Sequence, residues 1–451
     1  MISSKENSWS SHKASPAMTF QQPAASLRDR YEAGRRLRKR LPRKQQARWT
    51  PAKDRPDPIQ TLASTNEGRV ARLLPEKHRR MRASPFSFFR GAAVLMASDL
   101  ARLPCSGITV QLCGDAHVRN LGAYAAPDGR LVFDINDFDE TMPGPWEWDV
   151  KRLATSLVLA SQESSQVESR QNEAVRTFVR SYRAHLREFA RMPVARLARH
   201  LITRDPNEPL LNKIIENARR VTPTRNLRRL VVVRKGVFRF HDERPDLEHV
   251  PSRVAAEVVR SLGLYRATLS ASRRRTFDAY HAADVAFKIV GTGSVGTRDY
   301  VVLLFGNDRH DPLFMQVKQE LPSCYTPYLK AGPRADHQGR RVAEGQQMMQ
   351  TASDPFLGYT RFGGHDYLVR QLADHKAGLE PTELTGRTLL AYAWLCGEVL
   401  AKGHARTSDA AMLAGYLGSS PRLDHAIAEF AAAYAEQTKA DYRRFLWWLR
   451  R

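Results

Sequence analysis

Cysteine is scarce. The 451-residue chain has four, Cys105, Cys113, Cys324 and Cys396, with no CxxC pair among them. Neither a zinc framework nor a disulfide scaffold is to be expected from that, and a reducing, cytoplasmic setting is the natural expectation. Long apolar runs are missing as well. No stretch of about eighteen apolar residues suggests a membrane-spanning helix, and the opening MISSKENSWSSHKASP lacks the apolar segment of a secretory signal. Acidic residues are outnumbered, 47 Asp and Glu against 71 Lys and Arg. The resulting net charge of +24 draws the chain toward nucleotides, nucleic acid or other polyanions. Arginine clusters at 28–48, 217–235 and Arg273 to Arg275 carry no interleaved aromatics or base-reading motif. A nucleic-acid-associated protein without catalysis therefore stays only as an alternative.

What is present suits a globular protein of two or three packed units. Residues 1–60 are rich in Ser, Pro, Gln and Arg without periodicity, and read as a basic, mostly disordered segment with a short helix near 26–42. Order is expected from about Leu73. GITVQLCGDAHVRNLGAY (107–124) reads as a strand and a polar loop, and RLVFDINDFDE (130–140) as a strand entering an acidic loop. From Trp148 the period turns helical, with Leu153, Leu157 and Ala160 on one face and Val175, Phe178, Val179, Tyr182 and Leu186 on another. A short hairpin is expected at 231–240. At 285 the character becomes β: VAFKIVGTGSVGTRDYVVLLFG reads as strand, glycine loop, strand, followed by strands at 312–320 and 366–372. The segments divide as 61–284, a helical lobe; 285–375, a β-rich lobe; and 376–451, helices packing back on the helical lobe.

Two clusters carry chemistry. GDAHVRN places Asp115 and Asn120 five residues apart after an apolar strand, and NDFDE places Asp137 and Asp139 after the next one. Carboxylate and amide oxygens of this kind suit a hard cation such as Mg2+ together with phosphate. A further carboxylate can accept a hydroxyl proton. Isolated acids in turns are usually structural; two such clusters, each ending an apolar strand, point to a site. The second cluster is GTGSVG, with Gly291, Gly293, Ser294 and Gly296 between two strands. The β-branched residues that follow argue against the strand-to-helix setting of a dinucleotide fingerprint. Taken alone the motif would be an ordinary glycine turn. Lys318, 22 positions past Gly296, lies on a strand with Phe314, Met315 and Val317, where a lysine needs a partner.

The pattern GDxHxxN, strand, Asp, then PxxWD resembles aminoglycoside and choline phosphotransferases of the protein-kinase-like superfamily. That resemblance implies a two-lobed α/β (α+β) fold with a helical lobe and a smaller nucleotide lobe, and ATP (or another NTP) and Mg2+ as cofactors. It implies Asp115 as catalytic base, and Asn120 and Asp137, with Asp139, at the metal. It further implies His117 as the loop histidine, Asp149 at the start of the following helix, and Lys318 on the phosphates. Glu344 is the expected partner of Lys318, with Glu320 as fallback. YLVRQLAD (367–374), with Arg370 and Gln371, takes the place of the hinge strand facing adenine. The order is inverted relative to kinases, as a circular permutation would give. The chain from about 80 to 445 also resembles the uncharacterised bacterial family known as domain of unknown function 2252. The residues that carry this are SPFSFFRGAA, QLCGDAHVRNLG, FDINDFDET, GPWEWDVKRLA, VGTGSVGTRDYVVLL, VKQE, VRQL and GHARTSD. The family name implies no reaction.

Arg90 and the group His404, Arg406 and Asp409 are polar spots at helix ends, candidates for phosphate or substrate, or else simple helix-end pairing. Trp146, Trp148, Trp447 and Trp448 read as packing residues. The expected activity is an ATP- and Mg2+-dependent phosphotransferase acting on an unknown hydroxyl acceptor, a small molecule or a protein. A nucleotide-binding pseudokinase or a nucleotidyl transferase on the same fold is the alternative.

Overall fold

A computed structural model describes residues 25–289, 291–329, 335–372 and 375–451. Twelve strands are named here in chain order. They are β1 (Thr109–Leu112), β2 (Leu121–Ala125), β3 (Leu131–Ile135), β4 (Met142–Pro145), β5 (Val231–Arg234) and β6 (Val237–Phe240). The rest are β7 (Leu247–His249), β8 (His281–Lys288), β9 (Asp299–Phe305), β10 (Pro312–Gln319), β11 (Gly358–Phe362) and β12 (His365–Gln371). The fold is mixed α/β. No helix among the described residues is long and apolar enough to cross a membrane.

Among the described residues six strands form one antiparallel sheet in the order β11-β12-β10-β9-β8-β7. β8, β9 and β10 meander as sequential hairpins, while the helix Gln338–Met349 intervenes before β11. Alternation sets the two faces. Val302, Leu304, Met315 and Val317 pack with Val258, Leu262 and Tyr265 of the helix Ser252–Ala267. Val301, Leu303 and Phe314 pack with Leu230, Phe240 and Leu247. Lys318 and Gln316 belong to this second face, since they share the side-chain parity of Phe314 along β10. The expected hairpin at 231–240 forms as β5 and β6, with Lys235 and Gly236 at positive φ in its turn.

The helical part is built on Trp146–Glu163, Glu168–Phe189, Gly386–Thr407 and Arg422–Trp448. Leu153, Leu157, Ala160, Val175, Phe178, Val179, Tyr182 and Leu186 are all buried in one core with Leu389, Tyr392 and Phe430. Trp146 and Trp148 lie in that core, stacked on Tyr182 and Tyr325. Trp447 and Trp448 instead lie at the surface, in the last turn of the final helix.

The reading of residues 1–60 divides. Residues 1–24 lie outside the described residues. From there on the chain is folded: Leu27–Leu37 is a helix capped by Ser26, and its arginine-rich continuation has work to do. Arg38 and Arg43 donate to the carbonyls of Tyr416 and Leu417, the open end of the helix Ala410–Leu417. Guanidinium groups there satisfy orphan carbonyls and meet the negative end of the helix dipole. Arg55 bridges Asp99 and Asp441 at 2.7–2.8 Å. Sequence composition cannot register these partners, because they lie more than 350 positions away for Arg38 and Arg43.

Candidate functional site

The loop after β1 is fixed from below. Asp149, in the first turn of Trp146–Glu163, accepts the backbone N–H groups of Cys113 (2.8 Å) and Gly114 (3.0 Å). Gly114 needs its glycine: φ is +89°, and a Cβ would lie 2.2 Å from the carbonyl oxygen of Glu140. The loop then carries Asp115 to the cleft wall. Arg152, one helical turn past Asp149, donates to Asp115 Oδ1 at 2.6 Å and to the Phe89 carbonyl at 3.1 Å. Asn120 closes the loop by donating its Nδ2 to the Asp115 carbonyl at 2.9 Å, so its Oδ1 is the atom left for another partner. His117 is buried with Nε2 3.6 Å from Asp115 Oδ2, and its Nδ1 has no hydrogen bond. Burial pushes the Asp115 carboxyl up to about 6, Arg152 limiting the rise.

The acidic loop after β3 meets the sheet. Lys318, buried on β10, bonds to Asp139 and lies 3.9 Å from Asp137 Oδ1. Burial disfavours its ammonium, but the two carboxylates outweigh that and raise its pKa. Burial also works against the Asp137 carboxylate; Lys318 and Arg370 overcome it and hold Asp137 below the ordinary carboxylate range. Asp139, with burial and the Asp137 charge against it, is pushed up to about 6. One ammonium thus serves two carboxyls, and buried oxygens of both, Asp137 Oδ1 and Asp139 Oδ1, lack a hydrogen-bond partner. Arg341, on Gln338–Met349, holds this loop's backbone through the carbonyls of Asp139 and Thr141, each at 2.8 Å.

These parts face one cleft of about 710 Å³. Its walls include Arg90, Asp115, His117, Asn120, Asp137 and Asp139 together with Gly291, Gly293 and Ser294. Glu320 lies on the wall too, buried and with Oε1 unpaired; burial raises its pKa well above the ordinary value. Arg69, which sequence reasoning did not single out, lines the cleft and ties the glycine loop by donating to the Val295 carbonyl at 2.7 Å. Val70 N–H donates to the Gly296 carbonyl (2.7 Å), and Arg80 to that of Gly291 (2.6 Å). Gly296 has φ +97° and supports the turn rather than the wall.

Four expected residues fall away from both cavities. Glu344 does not meet Lys318: it pairs with Arg340 at 2.6 Å and is about half exposed (46%). The helix turns Gly345 inward instead, so close that a Cβ would lie 2.5 Å from Thr141. His404 lies behind the site, fully buried, with Nε2 3.3 Å from Asp149 Oδ2 and Nδ1 2.7 Å from the Tyr182 hydroxyl. It props the aspartate that props the loop. Arg406 donates to the carbonyls of Met348, Ala198 and Gln350. Asp409 caps the helix Ala410–Leu417 and pairs with Arg30. Both are helix-end partners, not ligands of the cleft.

Arg370 and Gln371 line a second, separate cavity of about 40 Å³ with Asn136, Asp354 and Lys376. Arg370 donates to Gln316 Oε1 (2.9 Å) and to the Asn136 carbonyl (3.3 Å). The backbone N–H of Gln371 is taken by Asp354 and that of Leu372 by the Phe314 carbonyl. The end of the proposed hinge strand, residues 373–374, lies outside the described residues.

The chemistry of the donor set fits magnesium delivered with a nucleotide. Among the described residues no three His, Cys, Asp or Glu side chains are grouped to hold a metal unaided. Magnesium characteristically takes one or two carboxylates and completes its shell with phosphate oxygens and water. Asp137, with an unpaired oxygen, and Asn120 Oδ1 meet that need.

A mixed α/β protein whose acidic loops and glycine loop line one cleft, the acids of one loop being paired with a buried lysine, is the class defined so far. The chain belongs to the family described as an uncharacterized protein conserved in bacteria (DUF2252), whose model matches residues 69–447. No curated protein and no solved structure matches it.

Proposed function

We propose that the protein is an ATP- and magnesium-dependent phosphotransferase of kinase-like type that acts on a hydroxyl acceptor. The observation that carries this reading is the meeting of Lys318 with Asp137 and Asp139, beside Asp115 and Asn120, under a glycine hairpin. A buried lysine flanked by two carboxyls is costly to maintain unless it has a task. The strand order supports the same reading. A three-strand meander carries the glycine turn and then the lysine, a helix follows, and the next two strands return beside the lysine strand. This is the order that the kinase resemblance implies, reached from a permuted chain.

In this reading Asp115 accepts the proton of the acceptor hydroxyl. Arg152 holds the carboxylate in place, and Asp149 with His404 holds the loop. Lys318 and the N–H groups of the glycine loop face the phosphates. Bound magnesium supplies neutralisation of phosphate charge, and Asn120 and Asp137 would hold it. The test is calorimetry with ATP, with and without Mg2+, on the wild type and on Asp137→Ala. Magnesium-dependent binding that is lost in the variant is expected. A folded wild type that binds no nucleotide overturns the reading.

A further inference from the structure

Among the described residues the buried arginines are all spent on partners. Arg152 takes Asp115 and the Phe89 carbonyl, Arg183 takes Asp424 and the Gly418 carbonyl, and Arg370 takes Gln316 and the Asn136 carbonyl. Arg90 is different. It lies in the last turn of the helix Pro85–Gly91, half-buried, and lines the cleft with Asp115, Asn120, Asp137 and the glycine loop. Among the described residues its guanidinium has neither a hydrogen bond nor an ion pair, and its Nε is buried without a partner. A guanidinium cannot shed its proton to ease that situation, and a buried donor left unpaired costs about 1–3 kcal/mol. The side chain is nevertheless held in place. It rests on the Phe86 ring, 5.9 Å from the centroid, and Phe86 meets the His117 ring edge to face at 6.2 Å.

The cleft that Arg90 lines is acidic, with Asp115, Asp137, Asp139, Glu140 and Glu320 on its walls. Phosphate would add negative charge to negative charge there. Two arginines and no lysine line the cleft among the described residues, Arg69 and Arg90. Arg69 donates its Nε to the Thr65 carbonyl at 2.8 Å and its Nη1 to the Val295 carbonyl at 2.7 Å. Lys318 is engaged by Asp139 and Asp137. Arg90 is the cation left uncommitted. Its backbone abuts the glycine loop, since a Cβ on Gly293 would lie 3.2 Å from the Arg90 carbonyl oxygen. Its guanidinium lies within reach of the charges of Arg119, Asp115, Glu380 and Asp137. Arg119 and Glu380 pair with each other, which leaves Asp115 and Asp137 as the acids it feels.

Resting on the nucleotide reading above, we infer that Arg90 is a catalytic residue that binds the phosphoryl group in transit from nucleotide to acceptor. In that step the acceptor oxygen bonds to the γ-phosphorus, and the bond from that phosphorus to the β,γ-bridging oxygen breaks. ADP leaves with the electron pair, and the hydroxyl proton goes to Asp115. Negative charge is then spread over the equatorial oxygens of the phosphoryl group. A planar, permanently charged guanidinium with paired N–H donors matches such oxygens in shape as well as in charge. No internal partner competes for it, so Arg90 can meet the developing charge without first breaking a bond.

Aluminium fluoride bound beside ADP and Mg2+ mimics the phosphoryl group in transit, so the test needs no identified acceptor. Calorimetry of ADP with Mg2+, with and without aluminium fluoride, is run on the wild type, Arg90→Met and Arg90→Lys. Aluminium fluoride is expected to tighten ADP binding by the wild type. Arg90→Met should keep its ADP affinity within about twofold and lose about 10–100-fold of the tightening, one charge-assisted contact's worth; Arg90→Lys should recover part of it. The Tm of Arg90→Met is expected within about 1 °C of the wild type, because no hydrogen bond or ion pair is broken. Tightening that survives in Arg90→Met overturns the inference and leaves the nucleotide reading standing, as an arginine reserved for an anionic acceptor would. ADP affinity that falls as much as the tightening also overturns it, and so does a wild type that binds ADP without any tightening. A folded wild type that binds neither ADP nor ATP sinks both readings.

Discussion

Replacing Lys318 by methionine tests the central contact most directly. The substitution keeps a long side chain in the β10 position and removes the ammonium that Asp137 and Asp139 share. Breaking a fully buried ion pair costs about 3–5 kcal/mol, because the partner charge is stranded. Here the carboxylates open partly to the cleft, Asp137 at 36% and Asp139 at 24% side-chain exposure, so solvent takes up some of that. About 2–4 kcal/mol is the expected loss near neutral pH. Unfolding entropy of about 2.1 cal/mol/K per residue over 451 residues makes each kcal/mol worth about 1 °C. A Tm drop of about 2–4 °C follows.

The pH dependence separates stranded charge from lost packing. In the wild type Asp137 is held below its ordinary pKa, so its contribution is present above that ordinary value and fades as pH falls through the lowered one. In the variant both carboxyls are free to hold protons to higher pH than Asp139 does now, about 6. Neutral carboxyls strand no charge. The Tm gap between wild type and variant is therefore expected to close by about half or more on going from about pH 7.5 to about pH 5. Calorimetric scans at both pH values, with and without Mg2+, measure this, and Mg2+ alone should restore part of the loss at about pH 7.5. A gap that is the same at both pH values, and indifferent to Mg2+, refutes the argument: Lys318 would then be a packing residue.

Three further outcomes are expected. Asp115→Asn should lower transfer by about 10²–10⁴-fold while leaving ATP binding within about twofold, and in the wild type activity should rise with pH through about 6 as Asp115 loses its proton; a flat profile between about pH 5 and 7 would speak against its role as base. Asp149→Ala strands the N–H groups of Cys113 and Gly114 and should cost about 2–4 kcal/mol in urea unfolding together with most of the activity; a neutral result would remove Asp149 from the account. Glu344→Ala should leave both stability, within about 0.5 kcal/mol, and nucleotide affinity unchanged, and a loss of affinity would restore the expected Lys318 partner.

The difference between what was legible and what was not is one of range. Asp115, Asn120, Asp137 and the glycines could be read because each motif is a loop closing an apolar strand, and a loop's chemistry is written in consecutive residues. Lys318 could be read because an ammonium within an apolar strand announces a hidden partner, although the sequence suggested a helix glutamate and the structure supplies Asp139 and Asp137. Glu344 misled because the helix Gln338–Met349 is polar on more than one side; its phase is set by Gly345 against Thr141 and by Arg341 on the acidic loop, contacts 200 residues apart for Arg341 and Thr141. Arg152 was within reach, three positions past Asp149 on the same helical face. The cover on the Phe314 face of the sheet was not, because Leu230 and Phe240 read as ordinary members of a mixed, charged stretch until the sheet comes to rest on them.

The three anchors of the glycine loop have a mechanical meaning. A loop of this kind is usually pictured as a flap that lifts by itself on the nanosecond scale. Here the carbonyls of Gly291, Val295 and Gly296 are held by Arg80, Arg69 and Val70, so the hairpin tip is stitched to a wall of the very cleft it roofs. Roof and wall must travel together, as one jaw. Admission of a ligand then belongs to collective motions on the microsecond-to-millisecond scale, and a substitution at Arg69, remote from the reacting atoms, would alter how fast the jaw works before it altered what the jaw does.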